Sequence, residues 1–405
     1  MDFDLTDLDL FEKGFPQPVF TWLRREAPVY WHPPTSHTPD REGFWVVSTH
    51  ADALRVLLDP TTYSSVTGGQ RRYGGSFLLD TPFAGVMLNM MDPPRHDRIR
   101  ALVNKGFTPR QIGGLEAELR RRTRAILADA VARRSFDFVI DVARELPLQA
   151  ICMLLGVPQD ARTQLCDWVD VTLEHSGREL YESTDVTRAA NDGVLKYGSE
   201  LIARRRAAPG DDMLSAVIHA ALPGEDPPGL TDGELMMFFM LLFVAGSETT
   251  RKAIAGGLLA LLETGEWRRL QRDPALMPRA VEEIIRWTTP SVYKRRTLTC
   301  DTELRGQKLR AGDKLTFWEM SANRDESVFE QPFRFDVGRD PNPHLGFGHG
   351  VHYCLGANLA RLEIRVMLEE LLASGHEIEI AGDPVWTRDN RLFGLKHLPA
   401  RIAPR

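Results

Sequence analysis

Apolar residues recur along this chain mostly with the three-to-four spacing of helices, and only in short stretches with the alternation of strands. Near the start, GFWVVSTHADALRVLLD predicts a strand over Phe44 to Val47, feeding a helix with Ala53, Leu54, Leu57 and Leu58 on one face. From Pro93 onward helical patterns dominate. Asp92 before Pro93 reads as an N-cap, and RHDRIRALVNKGF continues as a helix until Gly106 and Pro109 stop it. LEAELRRRTRAILADAVARR predicts an amphipathic helix whose basic positions form a solvated face, and ELPLQAICMLLGVP an apolar helix ending at Gly156 and Pro158. Thr231-Asp232-Gly233-Glu234 has the capping-box arrangement, and the pattern after it stays helical to about Leu262, a span of roughly 45–50 Å at 1.5 Å per residue. That helix is long enough to be the central beam of a globule. RAVEEIIRW predicts a short helix, and TLTCDTELRGQKLRAGDKLTF short antiparallel strands turning at Gly306 and Gly312. The last helix, LGANLARLEIRVMLEELL, carries Leu355, Leu359, Leu362 and Val366 on one stripe. No linker or repeat interrupts the pattern, so residues 1–405 read as a single, mainly α domain with small β-sheets.

Composition narrows the class further. The 405 residues are 43% apolar and 26% charged, with a net charge of −6, which excludes a disordered chain and supplies no basic face for nucleic acid. Four cysteines without a CxxC pair suit a reducing, cytoplasmic setting better than a disulfide framework. The N-terminus, MDFDLTDLDLFEKGF, is acidic where a signal peptide is basic. The longest apolar run, Leu235 to Gly246, has 12 residues, short of the roughly 18 that suggest a membrane span, so no membrane anchor is expected.

The stretch FGHGVHYCLG places Cys354 in a glycine-rich loop leading into the last helix. Glycines let backbone approach something flat and bulky, and a cysteine ahead of a helix N-terminus faces free N–H donors that favour the thiolate, a metal ligand. Three readings fit Cys354. A buried structural cysteine leaves the glycines and His352 without a reason. A zinc site from His344, His349, His352 and Cys354 has poor spacing and no second ligand knuckle. A haem thiolate accounts for both the cysteine and the glycines. Elsewhere, His96 and Arg100 are helical i, i+4 neighbours able to donate to one anion. Glu248 and Thr249 interrupt an apolar helix interior, where a carboxylate is costly without a partner or a task. Gly246 before them would permit local widening, and Thr249 can bond a carbonyl one turn back.

Phe347, Gly350, Cys354 and Gly356, as F-x-x-G-x-x-x-C-x-G, resemble the haem-binding signature of the cytochrome P-450 superfamily. Ala245-Gly246-Ser247-Glu248-Thr249-Thr250 resembles the family's central-helix motif, Glu283-Ile284-Ile285-Arg286 its E-x-x-R helix, and Asp92-Pro93-Pro94-Arg95-His96 with Arg100 its propionate-binding helix. The match runs from about Pro18 to Leu398. MLNMMDPPRHDRIR and NPHLGFGHGVHYCLGANLARLE are similar to the actinobacterial branch that oxidises steroids and branched-chain lipids.

The resemblance implies the P-450 fold, with the long central helix over a buried haem b whose iron is ligated by Cys354. It implies that His96, Arg100, Arg296 and His352 hold the propionates, with Arg295 on the opposite face of its strand. Glu248 and Thr249 would relay protons toward dioxygen, the co-substrate, and Glu283, Arg286 and Arg339 would form a structural triad behind the cysteine loop. Leu88, Leu241, Val244, Ala245, Val292 and Phe393, with the region around 165 to 195, would line an apolar pocket. The implied activity is a monooxygenase that inserts one oxygen atom into a C–H bond of a steroid, branched-chain lipid or terpenoid. Tailoring of a polyketide or peptide natural product is the alternative substrate reading. A peroxygenase, or a haem sensor or carrier, would leave the acid–alcohol pair without a role. No flavin or iron–sulfur motif is present, so a ferredoxin and its reductase are the expected electron donors, docking at a cationic proximal surface of a monomer.

Overall fold

The structure is a computed structural model and describes residues 2–174, 178–180, 182–222, 224–225 and 228–403. Within the 165–195 pocket region, residues 175–177 and 181 therefore lie outside the described residues. The expected elements are present: the strand Phe44–Val47, and helices His50–Leu58, Arg95–Asn104, Glu116–Arg133, Glu145–Leu155, Met277–Thr288 and Ala357–Ser374. The capping box starts a continuous α-helix, Asp232–Glu263. The Thr231 side chain accepts from the Glu234 N–H, and the Glu234 carboxylate accepts from the Thr231 N–H at 2.9 Å. Most of this helix is buried, because the helices Glu145–Leu155, Asp185–Ala207, Met277–Thr288 and Ala357–Ser374 pack around it.

To one side lies a five-stranded sheet in the order Val29–His32, Phe44–Val47, Lys314–Trp318, Tyr293–Leu298, Tyr63–Ser64. Phe44–Val47 and Lys314–Trp318 run parallel, with Trp45 opposite Leu315, and the other pairs are antiparallel. Gly306 and Gly312 take φ of 79° and 89° in the turns where sequence placed them. No helix among the described residues is long and apolar enough to cross a membrane.

Three local expectations are corrected. Asp92 does not cap the helix. Its carboxylate accepts from Ser64 Oγ at 2.5 Å and from the Ser65 N–H at 2.8 Å, and Pro94 takes the N-cap position of a helix that starts at Arg95. The basic face of Glu116–Arg133 is not simply solvated, because Arg120 and Arg124 bind Glu370 of the last helix, and Arg365 reaches back to Glu116 at 2.8 Å. Gly246 does not widen the central helix, which stays α-helical through it. A Cβ there would sit 2.8 Å from the Ile151 side chain, so the glycine serves helix–helix approach.

Candidate functional site

Cys354 ends the loop Phe347–Tyr353 ahead of the last helix, and its N–H donates to Phe347 O at 2.8 Å. The loop glycines serve unlike ends. Gly350 has φ of 67°, and a Cβ there would lie 2.6 Å from the Leu57 carbonyl, so it is the protein's own backbone that approaches. A Cβ at Gly346 would meet Ile285 at 2.8 Å, whereas one at Gly356 would meet nothing within 4 Å. Open space therefore lies beside the residue two positions after the cysteine. Burial raises the Cys354 thiol, with the Gly356 N–H and the cations Lys294, Arg100 and Arg361 pulling the other way. Helix-end donors alone thus do not make the thiolate; it forms when a metal or other cation takes the proton's place.

Behind the loop, Glu283, Arg286 and Arg339 meet as expected. Arg286 donates to both Glu283 oxygens at 2.7 and 2.8 Å, and Arg339 Nε reaches the same carboxylate at 3.1 Å. The structure adds Asn342, which donates to Glu283 at 3.2 Å, and the Asp336 N–H at 3.0 Å. A second clamp has no counterpart in the motifs: Glu282 binds Arg361 at 2.6 Å and His344 at 3.0 Å, and the Arg361 guanidinium lies 4.5 Å over the Phe347 ring.

The four expected anion-binding side chains converge from three distant segments. His96 is buried in the first turn of its helix, 4.5 Å from the His352 ring between centroids, and its Nε2 is buried with no hydrogen-bond partner. His352 Nε2 bonds Ser65 Oγ at 3.0 Å. Arg100 donates to Tyr353 O, and burial lowers its proton affinity while Cys354 raises it. Arg296 lies fully buried over the Phe317 ring at 5.3 Å, with one bond, to Arg295 O at 2.9 Å. Burial pulls it down to about 10 against the attraction of Asp92 and Glu319. Burial, then the charges of Arg296, His96, Arg100 and Lys294, push His352 down to about 2. Two guanidiniums, Arg296 buried and Arg100 half-buried, together with His352 and the orphaned ring nitrogen of His96, suit a strong anion, and they sit beside a loop with open space and a lone thiol. The residues present therefore fit a haem with its propionates and a single sulfur ligand. The zinc reading is not met: His344 is engaged by Glu282 and His352 by Ser65. Among the described residues, the acids of the grouping with metal-binding reach, Cys166, Asp170 and Glu248, are instead bound to Arg251.

On the central helix, Thr249 Oγ1 donates to Ala245 O at 2.8 Å, as its spacing suggested. Glu248 turns the other way. It is buried and ion-paired with Arg251, which also binds Asp170 of the helix Arg162–Leu173 at 3.1 Å. Burial raises the Glu248 carboxyl even against Arg251. Behind it lies a cavity of about 60 Å³ lined by Glu248, Asp170, Lys252, Asp389 and the more exposed Lys396 and His397. The i, i+3 spacing marks Arg251 as a partner in the sequence; nothing in it marks Asp170.

Of the pocket candidates, Leu241 and Val244 are half-buried and Ala245 is open, on one face of the helix with Thr249. Val292 and Phe393 are closed off instead. Both belong to an aromatic core with Phe11, Phe20 and Trp318, Phe393 stacks on Trp386 at 5.2 Å, and the Val292 N–H bonds Arg391 O, which locks the two segments together. Leu88 is also packed into the main core.

Comparison with known proteins places this arrangement. The family model described as Cytochrome P450 matches residues 266–403, which hold the E-x-x-R helix and the cysteine loop. Cytochrome P450 126 of Mycobacterium tuberculosis, whose name states no reaction, is 54% identical, covering 98% of this chain and 97% of its own. The methyl-branched lipid omega-hydroxylase of Mycobacterium tuberculosis is 39% identical over 98% and 94%, and the steroid C26-monooxygenase of Rhodococcus jostii 37% over 97% and 83%. The solved structure of Mycobacterium marinum cytochrome P450 CYP268A2 in complex with pseudoionone superposes with a TM-score of 0.88 at 33% identity, covering 99% of both chains. With the cysteine loop, the buried triad and the cationic cluster set in this fold, the chain belongs to the cytochrome P450 family, haem-thiolate monooxygenases that use O2 as co-substrate.

Proposed function

We propose that this monooxygenase hydroxylates an aliphatic C–H bond of a branched-chain lipid, steroid or terpenoid. The observation that carries the substrate class is the open face of the central helix, where Leu241, Val244 and Ala245 surround Thr249 as its one polar group. Such a wall orients substrate by shape, and Thr249 is the one hydrogen-bonding group these four positions offer to a sugar or peptide amide. The names of the lipid- and steroid-oxidising relatives and the pseudoionone complex point the same way.

Haem, when bound, supplies thiolate-tuned oxygen activation. The chain supplies the rest. Cys354 offers the sulfur, and the triad and the Glu282–Arg361 clamp hold its loop in place. His96, Arg100, Arg296 and His352 would hold the haem propionates. Thr249, with its proton donated to Ala245 O, keeps oxygen lone pairs free to hold a water. Glu248, paired with Arg251 on the opposite side of the same helix turn, would pass protons on from the charged cavity behind it. Electrons come from a ferredoxin and its reductase, since the chain carries no motif for a flavin or iron–sulfur cluster of its own.

Titrating the ferric protein with methyl-branched fatty acids, steroids and macrolides, while following the Soret band, tests the substrate class. A saturable low-spin to high-spin shift with a branched lipid or steroid is expected; a shift with macrolides alone would overturn the proposal. Thr249→Ala is expected to keep that binding shift while diverting most reducing equivalents to peroxide. Unchanged coupling removes Thr249 from proton delivery.

A further inference from the structure

The strand Tyr293–Leu298 carries three consecutive cations, Lys294, Arg295 and Arg296. Alternation separates them. Arg295 points away from the cysteine loop. It is fully buried, and its guanidinium bonds Phe77 O at 3.1 Å, Thr297 Oγ1 at 2.8 Å and Asp80 at 2.5 Å, tying down the segment that follows the strand Tyr63–Ser64. Lys294 and Arg296 share the other face. Lys294 keeps 31% of its side chain exposed, and its ammonium pairs with Glu319, the first residue of the helical turn after Lys314–Trp318.

Glu319 is unusual for such a partner. It is fully buried, and its Oε1 has no hydrogen bond. A Cβ at Gly348 would lie 3.6 Å from that oxygen, so the pair abuts the loop that carries Cys354. Lys294 is also among the charges felt by both His352 and Cys354, and Arg296 among those felt by Glu319. The ammonium therefore stands within the cationic cluster, with three N–H donors of which Glu319 does not use all. A buried carboxylate there would oppose the binding of another anion unless a cation separated the two.

We propose that Lys294 is a further propionate-binding residue of the haem, positioned by Glu319, and that this pair of opposite charges tunes both haem retention and haem potential. A positive charge near the haem favours the reduced, more negative state, and the buried carboxylate opposes it. Nothing in the proposal depends on the substrate or on the proton route.

Three variants test it: Lys294→Met, Glu319→Gln, and the two combined. Each is read by the rate of haem transfer to an excess of apomyoglobin and by spectroelectrochemical midpoint potential, with Lys294→Arg as the conserving control. Lys294→Met is expected to release haem roughly tenfold faster, the loss of one charge-assisted hydrogen bond, and to shift the potential down. Glu319→Gln is expected to shift it up, and Lys294→Arg to stay close to the parent in both readouts. The double variant buries no unpaired charge and keeps the test open if Lys294→Met fails to fold; it should still release haem faster, with a potential near the parent's. Potential shifts of the same sign in the two single variants would indicate general loosening and overturn the proposal. So would haem release from the double variant at the parental rate.

Discussion

The four cysteines differ in burial, and burial decides what each can do. Cys152 and Cys166 are fully buried, Cys166 beside Asp170 and Glu248, and burial pushes Cys152 up to about 12 and Cys166 higher still. Cys300, in the turn after the strand Tyr293–Leu298, is exposed. With haem bound at Cys354, alkylation of the native enzyme at pH 8 is expected to modify one thiol, Cys300, and the Cys300→Ser variant none. Mass spectrometry checks this, and an adduct on Cys152 before unfolding would contradict the burial argument. Cys354 was recognisable in the sequence because its neighbours are unusual, four glycines and His352 between residues 346 and 356. Its proton affinity was not legible, since helix position argues for a low value and burial for a high one, and only packing shows that burial is the larger effect. Arg295 and Arg296 show the opposite situation. Strand alternation by itself sends the two side chains to opposite faces, and their contacts follow it.

At the scale of elements, the periodicity of the sequence located the helices, and the partners of individual residues had to come from the fold. Gly246 illustrates this: within its own helix it looks like a point of give, yet the approach of Ile151 is what requires it. Gly246→Ala should gain up to about 1 kcal/mol of helix propensity and lose about 1–3 kcal/mol to overpacking, because Ile151 Cβ itself would be 3.2 Å away and cannot swing aside. Net destabilisation is expected by denaturant unfolding. In an Ile151→Ala background, which removes the Cγ1 and Cδ1 atoms at 2.9 and 2.8 Å but keeps the Cβ, the same substitution should cost less; equal effects in both backgrounds would show that the two side chains do not interact. The buried triad allows a larger forecast. Glu283 is fully buried and neutralises Arg286 and Arg339, so Glu283→Ala leaves two guanidiniums unbalanced at a cost of about 3–5 kcal/mol. Loss of the haem spectrum together with the fold is expected, and a variant that retains parental stability would show the triad to be dispensable.

Over the whole molecule, the site is assembled from segments as far apart in the chain as Arg100 and Tyr353, and so is the ionic scaffold that holds it. The first was legible because each contributing segment carries its own local pattern; the second was not, because Glu116 with Arg365, or Glu282 with Arg361 and His344, leaves no spacing to read. That scaffold gives the enzyme a defined response to acid. Bonds from Arg365 and Arg120 hold the Glu116 carboxyl at about 2, and for Glu282 burial raises the value while Arg361 and His344 more than reverse it, again to about 2, against an ordinary 4.5. A carboxylate lowered in the folded state contributes its full stability above the unfolded value and loses it as pH falls through the folded one. Unfolding free energy from denaturant titrations followed by circular dichroism should therefore be nearly flat from pH 7 to about 5, then decline between about 4.5 and 2. Glu116 is a third exposed, so its share is screened by salt and small. The Glu282 clamp differs in gripping the cysteine loop directly, through Arg361 over the Phe347 ring. Glu282→Gln should thus lose about 1–3 kcal/mol at pH 7, with haem released at a higher pH than in the parent, and the two stability curves should converge toward pH 2. Parallel curves over that interval would mean that the acid response arises elsewhere and that the clamp does not couple the protonation of the scaffold to the loop bearing Cys354.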